Sequence, residues 1–481
     1  MKKERIKSIV LIALVISSLV LTGQIWFNEE LWPEGYNFFV NISNSAQTKL
    51  ARIFGMGEEN KAVRTSIASP TYLAAYMVRD FDHAITVVDT TSPSYSVIND
   101  YVSDAILNAM STDTKKMTKV DEDAWRKALF TRGFYVDYGI DYNTATFSQI
   151  FGAAQPTVVQ DISAVRRFII TAEDTLAGDV SVYIADESKS EFYKISTNLD
   201  KSVFNENLKI LAPDATPKKR FSFFINADVP TGIAGEAIFA PYLILNEESV
   251  SRNVINSTNP VLKDGEIDIS MNMTEKLLKA FSINPRTAIK YVDADANVIY
   301  VQSKNTLKIS PNGVLSYTTV EGGKGLALEG VTQTSNTAQI LSGAAGVVGK
   351  VCSTIINNDS LQLYLSNLTE SQNYLKASFD YSYDGVPIVF GDEFDAHSAI
   401  EMEFEGGYLK SYRQILRRYS ASEETTLTEP TYDAKIFDSL SEEEKMQGIE
   451  KLFEAYDDDG SEGEKKSSWF VKIKETDGYK R

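Results

Sequence analysis

Nineteen consecutive residues near the N-terminus, 9–27, carry no charge and are dominated by Leu, Ile and Val. A helix of that length, at about 1.5 Å per residue, matches the hydrocarbon core of a bilayer. The residues before it, MKKERIK, hold four basic side chains and one acid. Basic flanks stay in the cytoplasm, so the pattern predicts a single-pass anchor with a cytoplasmic tail at 1–8 and everything after it extracytoplasmic. Trp26 and Trp32 fall where interfacial aromatics anchor a span. A cleaved export signal is the competing reading. It fits badly, because cleavage needs small residues at both −3 and −1, and Leu21-Thr22-Gly23 and Ser18-Leu19-Val20 each have only one of the two. Gln24 also stands where a lipoprotein would need cysteine.

Charge narrows the function. The chain carries −18 and its first eight residues +3, so the remainder carries −21. Such a surface repels phosphate backbones and anionic lipid alike, which argues against a nucleic-acid partner and stands the outer part off the membrane. Hydrophobic residues make up 43% of the 481, enough to fill about three domain cores rather than a disordered chain. With one cysteine, Cys352, no internal disulfide can form, and with two histidines a Cys/His zinc site is close to excluded. No cofactor is expected.

The anchor has a distinct face. Ala13, Ser17, Val20 and Gln24 are spaced four, three and four apart, along one side of a helix. Small residues let a second helix approach, and a glutamine can hydrogen-bond across an apolar interface.

The pattern predicts an α+β outer part of antiparallel meander sheets with flanking helices. A turn-rich stem at 28–62 leads to an N-terminal domain at 63–210, a middle domain at 220–325 and a C-terminal domain at 330–481. In the first, a helical stripe of Tyr95, Ile98, Val102, Ala105, Ile106 and Ala109 follows Pro93. A short helix at 121–130 precedes strands at 134–138, 166–170, 180–185 and 192–196. Prolines at 213 and 217 mark a linker. In the second, a helix at 273–281 capped by Asn272 with Glu275 precedes strands at 289–292 and 298–302. A hairpin then turns on Pro311-Asn312-Gly313. In the third, a helix at 336–356 precedes strands in which Phe379, Tyr381 and Tyr383, then Ile400, Met402 and Phe404, alternate with polar residues. A last helix at 442–456, an acidic loop at 457–464 and a strand at 469–474 close the chain. The second and third blocks share the order helix, then meander, as an internal duplication would.

Motifs with chemical meaning are few. Gly343-Ala-Ala-Gly346-Val-Val-Gly349-Lys350 departs from a phosphate loop at both defining positions, Ala344 and Val351, and reads as a helix whose small residues allow close packing. Asp293-Ala-Asp295-Ala-Asn297 begins like a calcium loop, but Val298 and Lys304 replace the required Gly and Glu, leaving a polar turn. Asp457-Asp458-Asp459 fails the same register and reads as solvated linker. Asp392, Glu393, Asp395 and His397 crowd together without a second histidine. His83 sits alone between Asp80, Asp82 and an apolar strand.

Several of these stretches look alike to one family. The start, KKERIKSIVLIALVISSLVLT followed by IWFNEELWPEGYNFF, resembles the YycH family. So does the tail, with Tyr381-x-Tyr383-x-Gly385-x-Pro387-Ile388, then residues 400–404, then Tyr412-Arg413. Leu307-Lys-Ile-x-x-x-Gly313-Val-Leu-x-Tyr317 is similar to the family's middle domain. Residues 111–165 carry no family motif. The resemblance implies a Gram-positive, single-pass membrane protein with a three-domain outer part. It implies association with a YycI-like protein and with the cell-wall sensor histidine kinase called WalK or YycG, whose activity the family sets. It brings no catalytic residue, so a non-enzymatic regulator is expected. An extracytoplasmic scaffold on a passive tether is the second reading. An envelope hydrolase using Asp395 and His397 is a distant third.

Overall fold

A computed structural model describes residues 64–66, 70–79, 82–88, 92–111, 116–151, 158–172, 179–186, 188–210, 219–222, 243–356, 361–394, 396, 398–431, 439–473 and 479–480. The anchor, the stem and most of the proline linker lie outside these residues.

The N-terminal part is a seven-stranded antiparallel sheet. Its strands run, in spatial order, Asp82–Val87, Tyr72–Arg79, Gly133–Asn143, Ala164–Ala172, Val180–Asp186, Glu191–Ser196 and Met117–Val120. Successive side chains in a strand point to opposite faces, and here both faces are covered. Phe134, Val136, Phe168 and Ile170 pack under helix α1 (Tyr95–Met110), whose stripe Ile98, Val102, Ala105, Ile106 and Ala109 is fully buried. Tyr135 and Ile169, on the other face, pack with Trp125, Ala128 and Leu129 of helix α2 (Glu122–Leu129). Burial on both faces leaves every residue of Val180–Asp186 buried except the half-buried Tyr183. Asp121 starts α2 by accepting from the Ala124 N–H at 2.8 Å. Two helices were not legible: α3 (Thr144–Ile150), capped by Asn143, and α4 (Lys201–Ile210), which buries Phe204 and Leu208 beside α1.

The larger sheet reveals how the repeated helix–meander order is used. Helix α5 (Met271–Ala280) precedes Ile289–Val292, Val298–Gln302, Asn305–Ile309 and Val314–Thr319. Helix α6 (Thr337–Ile355) precedes Leu361–Glu370, Tyr374–Tyr383, Ile400–Glu405 and Tyr408–Ile415. Along the sheet the first set reads in chain order and the second in reverse. Their last strands pair antiparallel, with Tyr317 opposite Tyr412. The two units are thus related by an approximate two-fold axis between those strands. Helices α5 and α6 pack together, and Phe281 after α5 stacks on Tyr317 and meets Tyr412 edge-on, at 5.2 and 5.1 Å.

Three expectations are corrected. The cap of α5 is Ser270, whose hydroxyl oxygen accepts from the Met273 N–H, so the helix starts earlier than Asn272 allows. The helix expected over 442–456 ends after one and a half turns as α7 (Glu442–Gln447). Gly448 then takes φ +85°, where a side chain is disfavoured, and the chain continues as strand Ile449–Asp458. That strand pairs antiparallel with Ser467–Ile473 and parallel with Val386–Phe390. The acids 457–459 are consequently not a solvated linker: Asp458 is fully buried.

Among the described residues, α6 is the one helix long and apolar enough to cross a membrane. It serves instead as a core helix, burying Leu341, Ala344, Val348, Val351 and Cys352 on the sheet. Its glycines differ in role. A Cβ at Gly343 would lie 2.8 Å from Val331 Cγ2 and 3.0 Å from Leu328 Cβ, whereas one at Gly346 would meet nothing within 4 Å. Gly346→Ala should therefore stabilise the outer part by about 0.5–1 kcal/mol in chemical denaturation, and Gly343→Ala should fail to.

Candidate functional site at the junction of the two sheets

Ala13, Ser17, Val20, Gln24, Trp26 and Trp32 lie outside the described residues, as do Asp395 and His397. Asp392–Phe394 forms a single 3-10 turn with Phe394 buried. Asp293 is a turn-former: its carboxylate accepts from the Asp295 and Asn297 N–H groups and from the Asn297 amide, at 2.9–3.0 Å. Among the described residues no group of three or more His, Cys, Asp or Glu is placed to hold a metal.

What the structure does bring together is a polar seam between the two sheets. Strand Gly133–Asn143 and helix α3 lie against strand Leu361–Glu370 and helix α6. The outer edge of Leu361–Glu370 also carries Arg64–Ser66 in parallel, so the residues that follow the stem are clasped by the C-terminal unit. On the N-terminal side, Asp137 accepts from Arg166 Nε at 2.8 Å and Arg167 Nε at 3.0 Å. Burial pushes the Asp137 carboxyl up. The charges of Arg167 and Arg166, with hydrogen bonds from Arg166 and the Gly139 N–H, outweigh it and hold the pKa at about 2. On the C-terminal side, burial lowers the Lys451 ammonium, and the charge of Arg166 across the seam lowers it further. Burial raises the carboxyl of Asp380, which accepts from the Ala399 N–H at 3.0 Å. Burial and then Asp380 raise Tyr364.

Glu370 closes one end of this seam. Its Oε2 accepts from Thr146 Oγ1 of α3 at 3.0 Å, while its buried Oε1 has no hydrogen-bond partner among the described residues. Burial raises its pKa against the hydroxyls of Thr146 and Thr337. Sequence reasoning missed Thr146 because it missed α3. Two shallow clefts lie elsewhere: about 420 Å³ between Tyr374, Glu403, Glu405 and Lys410, and about 480 Å³ between Lys119, Glu122, Lys189 and Phe192. Charge pairs and hairpin tips line both, with no nucleophile–base pair to suggest chemistry.

Comparison with solved structures is decisive for the fold. YycH from Bacillus subtilis superposes with a TM-score of 0.55 over 87% of this chain and 96% of that chain, at 12% identity. The chain has a YycH-like fold. An uncharacterized protein from Eubacterium rectale aligns over 49% of this chain and 82% of its own, at 13% identity, with a TM-score of 0.31 that is too low to argue a shared fold. No protein-family model matches the sequence, and no curated protein matches it.

The seam yields a pH dependence. Asp137 is depressed in the folded state, so its stabilisation is complete above its unfolded value of about 3.9 and disappears as pH falls through about 2. Urea midpoints of the outer part should drop between pH 4 and 2, and Asp137→Asn should flatten that drop while lowering the neutral-pH midpoint, because the carboxylate charge that offsets the desolvation of Arg166 and Arg167 is removed.

Proposed function

We propose that this protein is a non-enzymatic, single-pass membrane regulator that sets the activity of a WalK/YycG-like sensor histidine kinase together with a YycI-like partner. The observation that carries this reading is the YycH-like fold over 87% of the chain, behind an uncharged N-terminal run of membrane-spanning length. The regulator's fold supplies the outer part, and the anchor supplies the contact.

The physics is a population shift. A kinase with two states is biased only by a helix that fits one better than the other. A coupling of about 1–3 kcal/mol changes output roughly 5–150-fold. Packing along Ala13, Ser17 and Val20, with a hydrogen bond from Gln24, is on that scale. The polar seam fits the same role, since polar interfaces between lobes permit relative motion.

The test is in-membrane cysteine crosslinking, with single cysteines at 13, 17, 20 and 24 and controls at 12, 15 and 19. Burial pushes the Cys352 thiol up to about 12, so it is unreactive, and Cys352→Ser removes it altogether. Crosslinks to the kinase or the YycI-like protein from that face alone, with altered kinase output in Ser17→Leu and Gln24→Leu, are expected. A span that crosslinks to neither, with unchanged output in both variants, would leave a tethered scaffold instead.

A further inference from the structure

One contact between the N-terminal sheet and the C-terminal body carries an ionisable group. Helix α3 packs against α6, and strand Gly133–Asn143 packs against strand Leu361–Glu370. At the end of the latter strand Glu370 spans the junction: Thr146 Oγ1 of α3 donates to its Oε2 at 3.0 Å. Thr146 is itself buried. The ladder partner of Glu370 is the buried Leu375, and cross-strand partners point to the same face, so the carboxyl is set beside an apolar neighbour. Its Oε1 is shut off from solvent and accepts no hydrogen bond from the described residues.

No cation among the described residues pairs with Glu370. Helix α3 carries no titratable side chain. The one cation of α6, Lys350, pairs with Glu329 at 3.4 Å. On the neighbouring strand, Lys376 lies 3.8 Å from Glu403, which Tyr374 also meets, and Asp380, beside Tyr364, accepts from the Ala399 N–H. On strand Gly133–Asn143, Asp137 is held by Arg166 and Arg167, Asp141 is exposed, and burial keeps Tyr138 and Tyr142 neutral. An ionised Glu370 is thus a half-buried charge with one unpaired oxygen, and burial accordingly raises its pKa. Protonation removes the charge and makes the carboxyl a donor as well as an acceptor, and hydroxyls such as those of Thr146 and Thr337 can take either part.

We propose that Glu370 is a pH-sensitive latch: its neutral form holds α3 of the N-terminal sheet on the C-terminal body, and its ionised form loosens that contact. An acid that binds its proton more tightly docked than undocked stabilises docking fully below the ordinary value of 4.5, and that stabilisation fades as pH rises through the raised docked value. Asp137 acts in the opposite sense and only in stronger acid, so the two effects occupy separate ranges of pH. The latch needs no partner and stands apart from the regulator reading.

Hydrogen exchange on the full-length chain in nanodiscs tests the latch. The amides of α3 and of strand Leu361–Glu370 are the reporters, those of α1 are the internal reference for folding, and rates are corrected for the intrinsic pH dependence of exchange. From about pH 5 to about pH 8, protection at α3 should fall severalfold in the wild type while α1 holds. Glu370→Gln, which keeps the shape and adds a donor without the charge, should remove that fall and leave α3 better protected than in the wild type at the upper end. Thr146→Val should lower α3 protection across the range, and unchanged protection there would overturn that bond as the point of contact. A wild type whose α3 protection does not change with pH would overturn the latch. The same fall in Glu370→Gln would also overturn it and pass the pH dependence to Asp380 or Lys451 elsewhere in the seam. Weaker α3 protection in Glu370→Gln than in the wild type at the upper end would show the carboxylate to be the favoured form and overturn it as well.

Discussion

One buried carboxylate holds the C-terminal half together. Asp458 ends the strand Ile449–Asp458 with no solvent exposure, and its oxygens accept from Ser257 and Tyr419 hydroxyls at 2.8 and 2.7 Å and from the Gly460 N–H at 3.0 Å. Arg417, equally buried, lies 3.5 Å away, donates to the Gly460 carbonyl and covers the Phe394 ring. Lys465 approaches from a third strand. Desolvating such charges is costly, and the ion pair with the hydrogen bonds around the carboxylate offsets it, although Arg417 Nε has no hydrogen-bond partner among the described residues. Asp458 belongs to the larger sheet, and Ser257, Tyr419 and Lys465 to the three-stranded sheet of Arg418–Thr428, Val250–Thr258 and Gly463–Lys465, so the carboxylate fixes one sheet on the other.

The second unit of the larger sheet is tied together internally by a buried polar knot. Tyr381 donates to the Ile415 carbonyl at 2.9 Å, Gln414 donates to Tyr381 at 2.7 Å and to Cys352 of α6, and Tyr412 donates back to Gln414. Every polar atom in this central knot has a partner, which specifies a single register where an all-apolar contact would tolerate slippage. The N-terminal sheet, by contrast, meets the rest through a seam where charges oppose burial. The molecule therefore has a stiff C-terminal body and a softer attachment for its N-terminal sheet.

How much of this was legible depended on periodicity. Strands such as Ile400–Glu405 announce themselves because one face is buried and the other wet, and the Asn312-Gly313 turn forces its hairpin. The run Glu442, Glu443, Glu444, Lys445 begins a real capped helix, and Gly448 is a local stop signal, while the strand identity of Ile449–Asp458 after it is decided by tertiary pairing with Ser467–Ile473. Helix α3 hides because Thr144, Thr146 and Ser148 look like loop, although all three are buried. Asp458 hides because three acids in a row look solvated, and only the fold delivers Arg417 and Lys465 to them. The candidate anchor face was readable as spacing. The seam was not, because its members lie up to more than 300 residues apart.

The short strand Arg64–Ser66 has a consequence for how the protein is made. Its ladder partners, Gln362, Leu363 and Tyr364, lie some 300 residues further along the chain. Synthesis proceeds from the N-terminus, so the seven-stranded sheet, whose strands all lie between residues 72 and 196, can assemble long before that partner strand exists. Until the second helix–meander unit is complete, the segment joining the stem to the first sheet has no ladder to enter. The final clasp is then a timing device as much as a contact: it closes only on a chain whose C-terminal body has already been built.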